Sequence, residues 1–161
     1  MYESWLKDHI TAQVGGFAGN PTFEVALAEL KNGKKCSHWI WYIFPQWVGL
    51  GTSQSVLKFG VPSLAAGVEY LRNDFLRGNY LAAVEAVNIH LASGVPVTEI
   101  FDAPDDRKFV SSLTLMEHVS DLLPFSDGLS RQIRAAVTFA RRDGSSLCQT
   151  TLEWIGNVDN I

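Results

Sequence analysis

The feature that most constrains this chain is Trp39-Ile40-Trp41-Tyr42-Ile43-Phe44-Pro45, an apolar run with a polar entrance at Cys36-Ser37-His38 and a proline stop. A segment that is apolar on every side has no face to give to water, so the rest of the fold has to surround it. Ser37 is a residue type that caps helices, and Pro45 lacks the backbone donor that a helix needs to continue. The expectation is a central helix over residues 39–44, capped by Ser37 and buried on all sides. Burying one aromatic side chain removes about 150–250 Å² from water. At about 25 cal/mol per Å² that is worth roughly 4–6 kcal/mol as an upper bound, so Trp39, Trp41 and Phe44 suffice to anchor a core.

The remaining periodicity supplies the surrounding elements. Trp5, Leu6, Ile10 and Val14 give a helical stripe over Tyr2 to Val14. Asn20-Pro21 reads as the start of a second helix, with Phe23, Ala26, Leu27 and Leu30 on one face and Gly33 as its stop. Further helices are expected from Ser53 to Phe59, after a Ser63 cap, from Asn79 to Ala92, from Asp105 to Ser120, from Ser126 to Arg142 and from Thr150 to Gly156, with a short helical piece at Thr98 to Phe101. No alternation of strand length, internal repeat or low-complexity tract interrupts this pattern. The chain is therefore expected to be all-α, a compact single-domain bundle over residues 1–161 with about seven or eight helices around a buried central one.

Charge and cysteine content narrow the function classes. With 13 Lys and Arg against 17 Asp and Glu, the chain has no basic field to draw duplex nucleic acid or an anionic membrane. Cys36 and Cys148 lie far apart, as expected of reduced thiols in a cytoplasmic protein. Met1 to Val14 has no apolar leader segment, and the longest apolar run is too short for a bilayer. His9, His38, His90 and His118 share no metal-ligand spacing with cysteines or carboxylates, so neither a metal nor a cofactor is expected.

The polar residues around the central run are unusual. Lys34, Lys35 and His38 crowd cations at the start of the expected helix, whose free N–H groups already carry partial positive charge. That arrangement calls for an anion, either a carboxylate from elsewhere in the fold or a bound ligand. On a wheel for residues 105–120, Phe109, Leu113, Met116 and Val119 define an inward face, with Asp105 and Ser112 inside it and Lys108 at its edge. In the structural reading these groups satisfy one another, Asp105 with Lys108 at three-residue spacing and Ser112 with its own helix backbone. In the functional reading Asp105, Asp106, Lys108, Ser111 and Ser112 share a pocket with Lys34, Lys35, His38, Gln46 and Ser53. That pocket binds a small anionic ligand, phosphate-bearing or nucleotide-like. His38 is the residue type suited to general acid–base work near neutral pH, which makes it the catalytic candidate of a hydrolase or transferase. Other chemistry fits less well. On a helix Cys36 and His38 point about 200° apart, Ser111 and Ser112 lack a Gly-x-Ser-x-Gly elbow, and Gly49-Leu50-Gly51 is too short to cradle a phosphate. The alternative function is a non-catalytic helical protein–protein interaction module, which predicts a closed domain without a convergent cavity.

Several strings resemble one family. Ala26-Leu27-Ala28-Glu29-Leu30, Gly33-Lys34-Lys35, Ser37-His38-Trp39, Trp41, Ile43-Phe44-Pro45-Gln46, Gly49-Leu50-Gly51 with Ser53, and Asp106, Lys108, Ser111-Ser112 with Thr114-Leu115 are similar to the domain of unknown function 1810. The likeness extends over residues 10–154. It implies a compact, mainly helical cytosolic protein of bacterial or fungal type and brings no established reaction. Two places depart from the family pattern: Asp102 follows Phe101 where the family has glycine, and the late aspartate is replaced near Leu147-Cys148.

Overall fold

Phe44 sits at the middle of the molecule, its ring meeting those of Trp39, Tyr80, Phe101 and Phe109 edge-on or tilted at centroid distances between 5.0 and 6.1 Å. Phe101 and Phe109 stack on each other at 4.7 Å. Every residue from Trp39 to Gln46 is buried, so the apolar run is the core that its sequence demanded.

The computed structural model describes residues 1–158. Its helices are α1 (Glu3–Gly15), α2 (Phe23–Lys31), α3 (Ile40–Ile43), α4 (Gln54–Phe59), α5 (Leu64–Arg72), α6 (Asp74–Ala92), α7 (Val97–Ile100), α8 (Asp105–Asp121), α9 (Leu129–Arg142) and α10 (Gln149–Val158). A 3-10 turn spans Val48–Leu50, and among the described residues β-structure is limited to two isolated bridges, Phe17 with Asn20 and Trp47 with Val61. The fold is all-α. The ten helices of the described residues exceed the seven or eight expected, although each corresponds to a helical segment read from the sequence, α3 and α7 as single turns. Helices α6 and α8 both pack along α9, α2 lies against α6, and α5 bridges α6 and α8. Among the described residues no helix is long and apolar enough to cross a membrane.

The expected central helix is shorter than its sequence suggested. It is the four-residue α3, it begins after Trp39, and no side chain caps it. Ser37 is drawn off by a carboxylate of α2 instead of capping, and Pro45 prevents extension. Helix α2 is capped by Thr22, which accepts from the Val25 N–H at 3.4 Å, so Asn20-Pro21 is not its start. Helix α6 begins five residues before Asn79, because Asn73 accepts from the Leu76 N–H at 3.0 Å and Gly78 is absorbed into the helix. Ser63 caps α5 as expected, accepting from the Ala66 N–H at 3.0 Å, and Ser53, expected only as the first residue of its helix, caps α4 by accepting from the Val56 N–H at 3.3 Å. On α8, Phe109, Leu113, Met116 and Val119 are all fully buried.

Candidate functional site

The site grows out of the segment between α2 and α3. Gly33, in the left-handed region at φ +82°, ends α2 and turns the chain back. The Lys35 N–H then donates to the Ile100 carbonyl at 2.9 Å, tying the segment to α7. The rest is held by Glu29, in the last turn of α2. Its carboxylate accepts from the backbone N–H groups of Cys36 and Ser37 at 2.6 and 3.0 Å, from the Ser37 hydroxyl at 2.7 Å and from the Trp39 indole at 3.0 Å. Partial burial works to raise the Glu29 pKa, but the Ser37 hydroxyl, the Cys36 N–H, the Trp39 indole and the Ser37 N–H together hold it below the usual value. Sequence reading passed over Glu29. The signal was an acidic residue in the final turn of a helix, where the dipole disfavours it unless donors compensate.

This frame turns neighbouring lysines to opposite sides. Lys34 stays outside and pairs with Asp102 at 2.6 Å, both well exposed. Lys35 turns inward, its side chain 6% exposed, and meets Asp105 of α8 at 2.7 Å. Its ammonium also donates to the Ser37 carbonyl and lies 5.0 Å from the centroid of the Trp39 ring. Of three N–H donors, two are thus committed. Asp105 in turn is reached by Lys108 at 3.4 Å, which is the three-residue pairing read from the sequence. The cations at the start of α3 are therefore answered by carboxylates of the fold, and Asp105 holds two ammonium groups side by side.

Two adjoining cavities share this charged wall. Lys35, His38, Asp105 and Lys108 line both, one of about 190 Å³ and the other of about 310 Å³. Ser53 joins them in the first cavity, together with Asn20 and Ser55, which sequence reading missed because Asn20 looked like a cap. Among the described residues the exposed His38 imidazole makes no hydrogen bond or ion pair, while the three charged groups beside it are all paired.

The other expected site residues are elsewhere. Gln46 is 1% exposed and donates to the Phe44 carbonyl at 3.4 Å, so it belongs to the core. Ser112 is fully buried and shares a hydrogen bond with the Tyr80 hydroxyl at 3.1 Å, not with its own helix. Ser111 donates to the Arg107 carbonyl at 2.9 Å and, with Asp106, lines a separate cavity of about 410 Å³ on another side of α8. Cys148, just before α10, lines the same separate cavity. Burial works to raise its thiol pKa, yet the polar Ser111 hydroxyl nearby, the Thr151 hydroxyl that donates to it at 3.2 Å and the Thr151 and Thr150 N–H groups outweigh burial and lower the value. Among the described residues no group of three or more His, Cys, Asp or Glu is placed to hold a metal ion.

Comparison with known proteins places the chain in a wider group. The family model described as protein of unknown function (DUF1810) matches residues 6–138. The crystal structure of the conserved hypothetical protein Rv1873 from Mycobacterium tuberculosis is similar with a TM-score of 0.79 at 29% identity, covering 94% of this chain and 96% of that one. No curated protein matches the chain.

Proposed function

Because this chain belongs to the DUF1810 family, whose function is unknown, its activity has to be read from its cavities, and we propose that the wall of Lys35, His38, Asp105 and Lys108 binds a small anionic ligand, phosphate-bearing or nucleotide-like. The observation that carries this reading is His38, without a partner among the described residues, beside two ammonium groups fixed on one carboxylate. Folding has already covered the cost of bringing Lys35 out of water, through Asp105, the Ser37 carbonyl and the Trp39 ring. One N–H of Lys35 and the outer N–H groups of Lys108 remain to donate to an anion, which would gain charge-assisted hydrogen bonds from a preformed site. Two lysines against one aspartate leave this wall positive.

The reaction class that suits such a wall is hydrolysis or transfer at a phosphoryl or acyl group. The ammonium groups would bind the negative charge and stabilise what develops on the reacting centre, and His38 would move the proton. Lys34, Asp106, Ser111, Ser112 and Gln46 take no part, since pairing or packing removes them from this wall. The rival reading, a non-catalytic helical interaction module, expects a closed domain, and the shared cavities weigh against it.

The test is a thermal-shift screen of the whole chain against inorganic phosphate, nucleoside monophosphates, nucleoside diphosphates and sugar phosphates, repeated with Lys108→Ala and Lys35→Met. A ligand at about one hundred times its Kd raises stability by roughly 2.7 kcal/mol. A rise that both substitutions remove, with the variants still folded, is the expected outcome. No rise with any anion overturns the reading.

A further inference from the structure

Beyond their common wall the two cavities differ, and the difference bears on what accompanies the anion. The wider one, of about 310 Å³, is lined past the shared residues by Cys36, Ser37 and the 102–104 turn. The narrower, of about 190 Å³, is lined past them by the rings of Phe17, Trp41 and Tyr42 and by the polar side chains of Asn20, Ser53 and Ser55. Those three polar groups are under-used. Among the described residues the Asn20 side-chain amide and the Ser55 hydroxyl have no hydrogen-bond partner. Ser53 accepts from the Val56 N–H at 3.3 Å, which leaves its own O–H to donate.

We infer that the ligand carries a polyhydroxylated ring next to its anionic group, so that the chain binds a sugar phosphate with the sugar in the narrower cavity. This rests on the anion-binding reading of the shared wall and specifies it. An apolar group entering the narrower cavity would strip water from Asn20, Ser53 and Ser55 and give nothing back, which costs free energy at each of them. A bare anion would use the lysines and leave those three groups idle. Sugar hydroxyls, which donate and accept at once, match an amide and two hydroxyls of mixed polarity. A nucleobase fits less well: Trp39, Trp41 and Tyr42 are 1%, 8% and 3% exposed, so their rings are taken up by the core and offer no open face for stacking. Rings turned mostly inward still give the sugar's C–H edges an apolar wall.

The experiment is calorimetric titration of the whole chain with inorganic phosphate, with ribose and glucose, and with ribose 5-phosphate and glucose 6-phosphate. One of the sugar phosphates is expected to bind at least about tenfold more tightly than phosphate, since two or three further hydrogen bonds are each worth about three- to tenfold. Asn20→Ala and Ser55→Ala, checked for unchanged melting, should each weaken the sugar phosphate by about three- to tenfold and leave phosphate alone. Phosphate binding as tightly as every sugar phosphate, or loss of both in the Asn20 and Ser55 variants, overturns the sugar assignment while the anion-binding reading stands. No binding by phosphate or any sugar phosphate overturns both.

Discussion

His9 and His38 sit in opposite surroundings, and the contrast separates a residue that holds the fold from one that is left for a ligand. His9 is fully buried in a box of rings, with Trp5, Phe59 and Tyr70 at centroid distances of 4.7, 5.2 and 5.2 Å. Its Nε2–H donates to the Phe59 carbonyl at 3.0 Å, joining α1 to the end of α4. His38 lies in a cavity wall, beside charges that pair with one another and not with it. His9 holds the fold through that Nε2–H bond and its ring contacts, although its buried Nδ1 has no partner among the described residues, whereas an exposed imidazole at a cavity keeps both nitrogens for a ligand.

The largest expected effect tests the structural histidine. Burial holds His9 neutral and lowers its pKa to about 4, against a smaller upward pull from the Phe59 and Tyr42 carbonyls and from Asp8. The unfolded chain binds that proton near pH 6.5, so the unfolded state gains protons first as the solution is acidified. Stability from this group is therefore complete above about pH 6.5 and is lost as pH falls towards 4, a change of about 3 kcal/mol. Urea unfolding at pH 7.5, 6, 5 and 4 measures it. His9→Gln, which does not titrate, should flatten the profile over that window even though it lowers stability at pH 7.5. An unchanged profile would show that the acid sensitivity arises elsewhere.

A middling effect is expected where the two kinds of region meet, at Asp105. This carboxylate is structural towards Lys35 and positions both ammonium groups for the cavity. Asp105→Asn leaves a lysine side chain that is 6% exposed without its counter-charge, and about 2 kcal/mol of stability should go with it, less than for a fully buried pair because Asp105 is 20% exposed. Lys108→Ala, at a side chain that is 35% exposed and 3.4 Å from the same carboxylate, should cost under about 1 kcal/mol. Equal losses from the two substitutions would mean that Asp105 serves Lys108 as much as it serves the buried Lys35.

How far the sequence could distinguish these roles depended on whether the partner was local. The cap at Ser63, the buried stripe of α8 and the Asp105–Lys108 pair all involve residues within a turn of one another, and helical spacing was enough to read them. Ser37 failed as a cap because its partner is Glu29, on the preceding helix, and Ser112 turned to Tyr80 of α6. Neither partner is visible in a wheel. Lys34 and Lys35 are adjacent and alike, so only the packing of α8 and α7 decides which of them faces inward. Ser111 was different: at 100° per residue it lies about 120° around α8 from Asp105, so the wheel itself argued against placing both in one pocket. The convergence of Lys35, His38, Ser53, Asp105 and Lys108 on one cavity needed the tertiary fold.

The smallest expected change in stability belongs to His38→Ala, and its smallness is the point. Among the described residues the imidazole makes no hydrogen bond and no ion pair, so its removal leaves no buried group unsatisfied, and it is itself exposed. Substitutions away from such features change stability within about 0.5 kcal/mol. Set against this, binding of a sugar phosphate should fall by at least about fivefold, since a hydrogen bond to a charged group is worth more than one between neutral groups. Melting of the unliganded variant and calorimetric titration with the ligand measure the two quantities separately. A loss of stability above about 1 kcal/mol with unchanged affinity would give His38 a role like that of His9. A stable variant with weakened binding would place the two histidines on opposite sides of the division between fold and site.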